Sequence, residues 1–123
     1  MTNAEKLTLA KHACHIRMGV IEGTHSAKCG HPGGSLDIAE VLSYLYFVDM
    51  NIDPKEPKKP DRDRFVLSKG HTAPGLYAAL ALRGYFPEDM PIKDYPMDLV
   101  EGCLIAAWPQ VLQMVLDSRD LPF

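Results

Sequence analysis

Two short segments of the sequence place a histidine beside glycine, where an imidazole can be held for chemistry. His31 lies in the run GHPGG at residues 30–34, and His71 ends the run SKGH at residues 68–71. Glycine allows a backbone to approach a ligand closely, and proline restricts the conformation that presents the side chain. We therefore predict that both imidazoles contact one phosphorylated ligand. The alternative, in which each histidine only caps a nearby carbonyl, stays open on spacing alone.

The other histidines and a nearby cysteine have weaker claims to chemistry. His12 and His15 are three residues apart, so on one helix face they could offer two nitrogens to a metal ion. No further ligand at convincing spacing completes a metal set, and we predict that they are helix-surface or boundary residues and that there is no metal site. His25 lacks a glycine partner and is assigned no role. Cys29 is read as a packed thiol, with the alternative of a nucleophile beside His31.

Three helices are predicted to position these segments. Apolar residues recur at helical spacing over residues 4–21, and Gly23 is expected to end that helix. A shaped loop is then expected over residues 24–35, because its glycines and proline sustain no regular period. A second helix is predicted from Ser35 to about residue 48. A third has Pro74 in its first turn and Gly84 as its terminator.

The segment between the second and third helices is predicted to be largely irregular. Residues 49–64 are rich in proline, lysine and aspartate, which indicates an extended surface connection. The apolar run at residues 65–67 suits a brief buried strand that leads into the loop bearing His71. Helix, loop, helix, strand, loop and helix is an order compatible with an α/β layer.

Composition excludes several classes of function. The 123 residues are 46% hydrophobic, which suffices for one compact core, and the net charge is -3. We expect no nucleic-acid partner, since a chain of this charge offers no basic field for a phosphate backbone. No apolar run is long enough for a membrane span, and we expect a cytoplasmic protein. The three scattered cysteines argue against a disulfide framework or a thiolate zinc site.

Two motifs resemble the opening of transketolases. Residues 27–35 (AKCGHPGGS) and residues 61–71 (DRDRFVLSKGH) follow one another in the order of that family, and the similarity extends over about residues 4–87. The resemblance implies an α/β fold: a partial, doubly wound thiamine-diphosphate-binding fold, mostly helical with one short strand of the parallel type. Residues 1–90 would form this segment, with a divergent tail at 91–123 packed on the same domain.

The resemblance also assigns roles to individual residues. In transketolases a thiamine-dependent reaction transfers a two-carbon glycolaldehyde unit from a ketose phosphate to an aldose phosphate. The resemblance implies that His31 and His71 are catalytic, that His71 and Gly70 contact the cofactor, and that His31 and Ser35 contact the substrate. Thiamine diphosphate and Mg²⁺ are the implied cofactors, and the pentose phosphate pathway is the implied setting.

The sequence departs from the transketolase pattern after about residue 87. The third Gly-His-Pro loop, the glycine-rich segment and the motif that holds metal and diphosphate are not found there. We therefore expect an amino-terminal fragment or subunit that does not catalyse alone and works with a companion carboxy-terminal subunit or as a homodimer. The alternatives are a non-catalytic module that pairs with complete transketolase subunits, and a thiamine enzyme of the deoxyxylulose-phosphate synthase group.

Overall fold

A computed structural model describes residues 1–28 and 31–88, and this part of the chain is mostly helical. The predicted tail at 91–123 lies outside the described residues. α1 packs along both α3 and α4, and α2 lies against α1 and α4. The elements follow one another as α1 (Asn3–Ala27), α2 (Pro32–Asp37), α3 (Ala39–Tyr44), a π-helical turn (Leu45–Asp49), a 3-10 turn (Gly70–Thr72) and α4 (Ala73–Arg83).

The first helix is longer than the sequence indicates. Thr2 caps it reciprocally with Glu5: the amide of Glu5 donates to the Thr2 hydroxyl at 3.2 Å, and the amide of Thr2 donates to the Glu5 carboxylate at 2.6 Å. The prediction that Gly23 ends the helix is wrong. A single glycine costs a helix only about 1 kcal/mol, and α1 continues to Ala27 before Lys28 turns left-handed at φ 51°.

The second predicted helix also has different limits. It begins at Pro32, because the fixed φ of proline suits the first helical position and its missing N–H is not needed there. Ser35 is therefore not the N-cap, and it lies inside α2. The helical path is interrupted at Ile38, which has φ -97° and ψ 7°, and resumes as α3.

The proline-rich connection folds back on itself and is not simply extended. The amide of Asn51 donates to the carboxylate of Asp63 at 2.7 Å, and the amide of Asp63 donates to the carbonyl of Asn51 at 3.0 Å. These two bonds close a surface loop, and the Arg62 side chain braces it by donating to the Pro57 carbonyl at 2.7 Å.

The predicted parallel strand at residues 65–67 is not confirmed. Within the described residues no strand is assigned, and only Phe65 takes part in an isolated bridge. A strand requires a neighbour that shares a ladder of backbone hydrogen bonds, and the described residues contain no such ladder beside this run. Within this run Leu67 is buried, whereas Val66 is 45% exposed.

The fourth helix begins and ends where the sequence predicts. Pro74 lies in the first turn of α4, and Gly84 ends it in the left-handed conformation at φ 94°. α1 and α4 cross closely at Gly19, where a Cβ would lie 2.9 Å from the Cβ of Ala78. The largest fully buried apolar side chains between the helices are those of Ile16, Val20, Leu42, Leu76 and Leu80. Among the described residues, no helix combines the length and apolarity needed to cross a membrane.

Candidate functional site

The fold brings His31 and His71 together although 40 positions separate them in the sequence. Their ring centroids lie 6.1 Å apart, and the rings meet edge to face at 83°. Both residues are accessible from solvent, so a ligand can reach both imidazoles. The structure therefore contains the pair that the two glycine-bearing runs indicate; the roles assigned to each ring remain predictions.

Two short elements set the directions of these rings. His31 is the residue that precedes α2, where Pro32 opens the helix. His71 is the middle residue of the 3-10 turn that leads into α4. Thr72 closes this turn, because its amide and its hydroxyl both donate to the Lys69 carbonyl, at 2.9 and 2.7 Å.

Gly34 allows the turn bearing His71 to lie directly against α2. A Cβ at Gly34 would be 2.6 Å from Thr72 Cγ2 and 3.2 Å from His71 Nε2, whereas a Cβ at Gly33 would meet nothing within 4 Å. Of these two adjacent glycines, only Gly34 is required by a close approach. The sequence shows both glycines and cannot tell them apart.

Ser35 connects α2 to the turn bearing His71 and to α4 through buried hydrogen bonds. It is fully buried, at 0% exposure. Its hydroxyl donates to the Thr72 carbonyl at 3.1 Å and accepts from the amide of Gly75 at 3.3 Å. The predicted contact of Ser35 with substrate therefore involves a hydroxyl that already has both a donor and an acceptor within the protein.

Lys69 links its own turn to α2 through a contact that the sequence does not indicate. Its ammonium donates to the Gly34 carbonyl at 3.4 Å and lies 3.3 Å from the Asp37 carboxylate. The lysine is visible in the run SKGH, but no local pattern indicates that it reaches Asp37, 32 residues away.

The groups around the two rings suit an anion better than a cation. Each imidazole can donate a hydrogen bond, and the Lys69 ammonium beside them is a cation, whereas the amides of Ala73 and Gly75 at the start of α4 already donate to the Gly70 carbonyl and the Ser35 hydroxyl. Gly70, the predicted cofactor contact, opens the 3-10 turn beside His71. Within the described part of the chain, no group of three or more His, Cys, Asp or Glu side chains could hold a metal ion.

His12 and His15 occupy a different environment. The His12 ring stacks on Phe47 with centroids 3.9 Å apart, and its buried Nδ1 has no hydrogen-bond partner among the described residues. Burial, and then the charge of His15, lower the pKa of His12 below its ordinary value of 6.5. His12 thus lies at the boundary of the helix packing and His15 is exposed on the helix surface, as predicted. Cys29 lies outside the described residues.

The site is thus an exposed pair of imidazoles where α2 meets the turn before α4. Sequence comparison identifies its family: residues 9–98 match the description "Transketolase, thiamine diphosphate binding domain". This match covers well over half of the chain, so the chain belongs to the transketolase thiamine diphosphate binding domain family. The match runs to residue 98, beyond the predicted limit of the transketolase-like segment.

Individual relatives are similar over the same region. The 6-deoxy-6-sulfo-D-fructose transketolase subunit SqwG of Clostridium sp. (strain MSTE9) is 52% identical over 86 residues, which are 70% of this chain and 31% of that protein. One subunit of the apulose-4-phosphate transketolase of Actinobacillus succinogenes is 44% identical over 82 residues, 66% of this chain and 30% of that protein. Transketolase of Mus musculus is 41% identical over 85 residues, 68% of this chain and 14% of that protein.

The chain therefore spans less than a third of the length of these curated relatives. Two of them carry the word subunit in their names. This chain is accordingly similar to an amino-terminal portion of transketolases or to part of one subunit of a divided transketolase.

Proposed function

We propose that this chain supplies the part of a transketolase site that binds thiamine diphosphate and carries two proton-transfer histidines. The observation that carries the proposal is the pairing of the His31 and His71 rings, 6.1 Å apart and open to solvent. In the proposed reaction a two-carbon glycolaldehyde unit passes from a ketose phosphate to an aldose phosphate. The chain would not catalyse this transfer alone.

Each residue of the pair has a separate proposed task. Thiamine diphosphate supplies the carbanion chemistry when it is bound. His71 and the backbone of Gly70 would hold the cofactor, and His31 would orient a substrate hydroxyl. The imidazole nitrogens of both histidines would move protons to and from the sugar, since imidazole changes charge near neutral pH. We assign no described residue to Mg²⁺.

The proposed substrates are sugars with a charged terminal group. Among the relatives, one is named for 6-deoxy-6-sulfo-D-fructose and another for apulose-4-phosphate. Both names describe a sugar with an anionic substituent, which suits the donor-rich surface at this site. We propose a phosphorylated ketose and aldose for this chain, a companion carboxy-terminal subunit or a homodimer as its assembly, and the cytoplasm as its location.

The first test is a calorimetric titration with thiamine diphosphate, with and without Mg²⁺. We expect no saturable binding to the chain alone, and Mg²⁺-dependent binding after addition of a companion carboxy-terminal transketolase subunit. Saturable binding to the chain alone would contradict the proposal that the site is shared.

The second test concerns the histidine pair within that assembly. We expect His31→Gln and His71→Gln each to lower kcat by about 100-fold or more, the usual scale for loss of a general acid or base. His25→Gln, which alters another exposed histidine near the end of α1, is the matched control and should leave kcat unchanged. Wild-type turnover in a variant lacking both His31 and His71 would exclude the proposed catalytic roles.

A second candidate function is a non-catalytic module that pairs with complete transketolase subunits. It is favoured by a row of apolar side chains along α3 and the following turn, formed by Val41, Tyr44 and Val48, which are 53%, 42% and 53% exposed. If this function is correct, the chain binds a complete transketolase in size-exclusion chromatography and adds no cofactor-dependent turnover. Restoration of turnover in an inactive companion subunit would instead support the first function.

A further inference from the structure

The hydroxyl of Ser35 is buried where α2 packs against the turn before α4, and it is hydrogen-bonded both to that turn and to α4. We infer that Ser35 is a positioning residue that sets the separation of the His31 and His71 rings, and that it does not contact substrate. This inference rests on the proposed function for its catalytic consequence, but the geometry that it concerns exists in the chain without any ligand.

The argument begins with what determines the position of each ring. His31 directly precedes α2, so its backbone moves with that helix. His71 lies in the 3-10 turn that continues into α4. The distance between the rings therefore depends on how α2 docks against the turn and the first residues of α4.

Ser35 makes the buried hydrogen bonds of this docking contact. Its hydroxyl donates to the carbonyl of Thr72, the residue after His71, and accepts from the amide of Gly75 in α4. A hydroxyl that both donates and accepts holds its two partners at defined distances. Removing it leaves the buried amide of Gly75 without its acceptor and takes one donor from the Thr72 carbonyl. Alanine at this position therefore favours separation of α2 from the turn, so that water can reach both groups.

The surroundings of Ser35 leave little room for another arrangement. A Cβ at Gly75 would lie 3.2 Å from the Cβ of Ser35, and one at Gly34 would collide with Thr72. The two glycines thus let the backbones approach closely enough for the hydroxyl to reach both partners. With 0% exposure, Ser35 offers a sugar no surface to touch.

Ser43 supplies a matched control elsewhere in the fold. It is also buried, at 1% exposure, and its hydroxyl donates to the Leu9 carbonyl at 2.8 Å, linking α3 to α1. Ser43→Ala removes a buried hydroxyl of the same kind without touching the α2–α4 junction. A general loss of stability should therefore appear in both alanine variants, whereas a change in the histidine pair should appear only in Ser35→Ala.

The experiment measures the nuclear Overhauser cross-peak between the His31 and His71 ring protons in the full 123-residue chain without cofactor. His31→Gln and His71→Gln variants assign the signals. We expect the cross-peak in the wild type and in Ser43→Ala, its loss in Ser35→Ala, and an intermediate intensity in Ser35→Cys, whose thiol is a weaker hydrogen-bonding group. Because the intensity falls with the sixth power of distance, a small displacement of either ring suffices for the loss.

The outcomes separate this inference from the proposed function. A cross-peak that survives in Ser35→Ala, or that is lost equally in Ser43→Ala, overturns the positioning role. If Ser35→Ala does not fold, an undiminished cross-peak in Ser35→Cys overturns it as well. In the assembled enzyme a positioning role predicts a fall in kcat of up to about 100-fold with KM unchanged, whereas a raised KM with kcat unchanged would show that Ser35 contacts substrate. Absence of any turnover in the wild type would contradict the proposed function and leave the cross-peak result standing.

Discussion

Of two pairs of histidines in this chain, one is close in the sequence and the other is close only in the folded structure. His12 and His15 are three residues apart on α1, and the ring of His12 is packed on Phe47. His31 and His71 are 40 residues apart, yet their rings meet at 6.1 Å on a surface open to solvent. In the first pair only His12 is packed and His15 is exposed, whereas the second pair is brought together by the contact of α2 with the turn before α4. Separation along the chain is therefore a poor guide to which imidazoles can share a ligand.

The largest effect is expected from adding a methyl group at Gly34, which packs against the turn that carries His71. Gly34→Ala introduces a methyl group 2.6 Å from Thr72 Cγ2, and overpacking of this kind costs about 1–3 kcal/mol. The adjacent Gly33→Ala meets nothing and lies in α2, where alanine favours the helix, so it should be neutral or slightly stabilising. Thermal unfolding of both variants measures the difference.

A second substitution shows whether the clash is the cause. Thr72→Ser removes Cγ2 and retains the hydroxyl that donates to the Lys69 carbonyl. We expect Gly34→Ala combined with Thr72→Ser to recover most of the lost stability and the His31–His71 cross-peak. Equal stability of the Gly34→Ala and Gly33→Ala variants would show that the junction is less tightly packed than the structure indicates.

A smaller effect is expected from the charge on His12. Its pKa is lowered in the folded chain by burial and by His15, so below about pH 6.5 the unfolded chain binds more protons than the folded one. The contribution of neutral His12 to the free energy of unfolding is fully present above about pH 6.5 and is lost as the pH falls through the pKa of His12 in the folded chain. His12→Phe keeps an aromatic ring against Phe47 and cannot be protonated, so its melting temperature should fall less between about pH 7 and pH 5 than that of the wild type.

The same measurement on His25→Gln provides the control for this pH dependence. His25 is an exposed histidine near the end of α1, and we expect its replacement to leave the acid-side loss of stability unchanged. If His12→Phe loses stability on acidification as steeply as the wild type, His12 is not the group responsible.

The smallest effect is expected from the ion pair between α1 and α3. Arg17 donates to both carboxylate oxygens of Glu40 at 2.6 Å, and this hydrogen bond is the main reason that the pKa of Glu40 lies below its ordinary value of 4.5. The stabilisation is present above about pH 4.5 and declines as the pH falls through the folded pKa. Because both side chains are exposed, with 38% and 64% of their surface open, Glu40→Gln should cost only about 0.5 kcal/mol in chemical denaturation at neutral pH.

High salt offers a direct check on that value. Screening should reduce the difference between the wild type and Glu40→Gln, since exposed charges interact weakly at high ionic strength. A difference that persists in about 1 M salt would show that Glu40 contributes through packing and not through its charge.

Much of the described fold was predictable because its signals are local. The start of α4 at Pro74 and its end at Gly84 follow from backbone preferences that each residue carries with it. Gly23 misled the prediction of α1, because a glycine within a helix and a glycine at its end look alike in sequence. The strand predicted at residues 65–67 is not confirmed, since only Leu67 of the three is buried and no partner strand lies beside the run among the described residues.

The sequence by itself determined which residues are able to do chemistry: two imidazoles, each next to glycine, within motifs specific enough to indicate a family. Only the tertiary structure decided that Gly34 is the glycine under close contact, that Ser35 is buried between its partners, and that Lys69 reaches Asp37. Backbone and side-chain preferences act within a few residues, whereas these three facts depend on how α2 meets the turn before α4. That contact joins segments that are distant in the chain, and its geometry is set by the packing of α2 and α4 against α1.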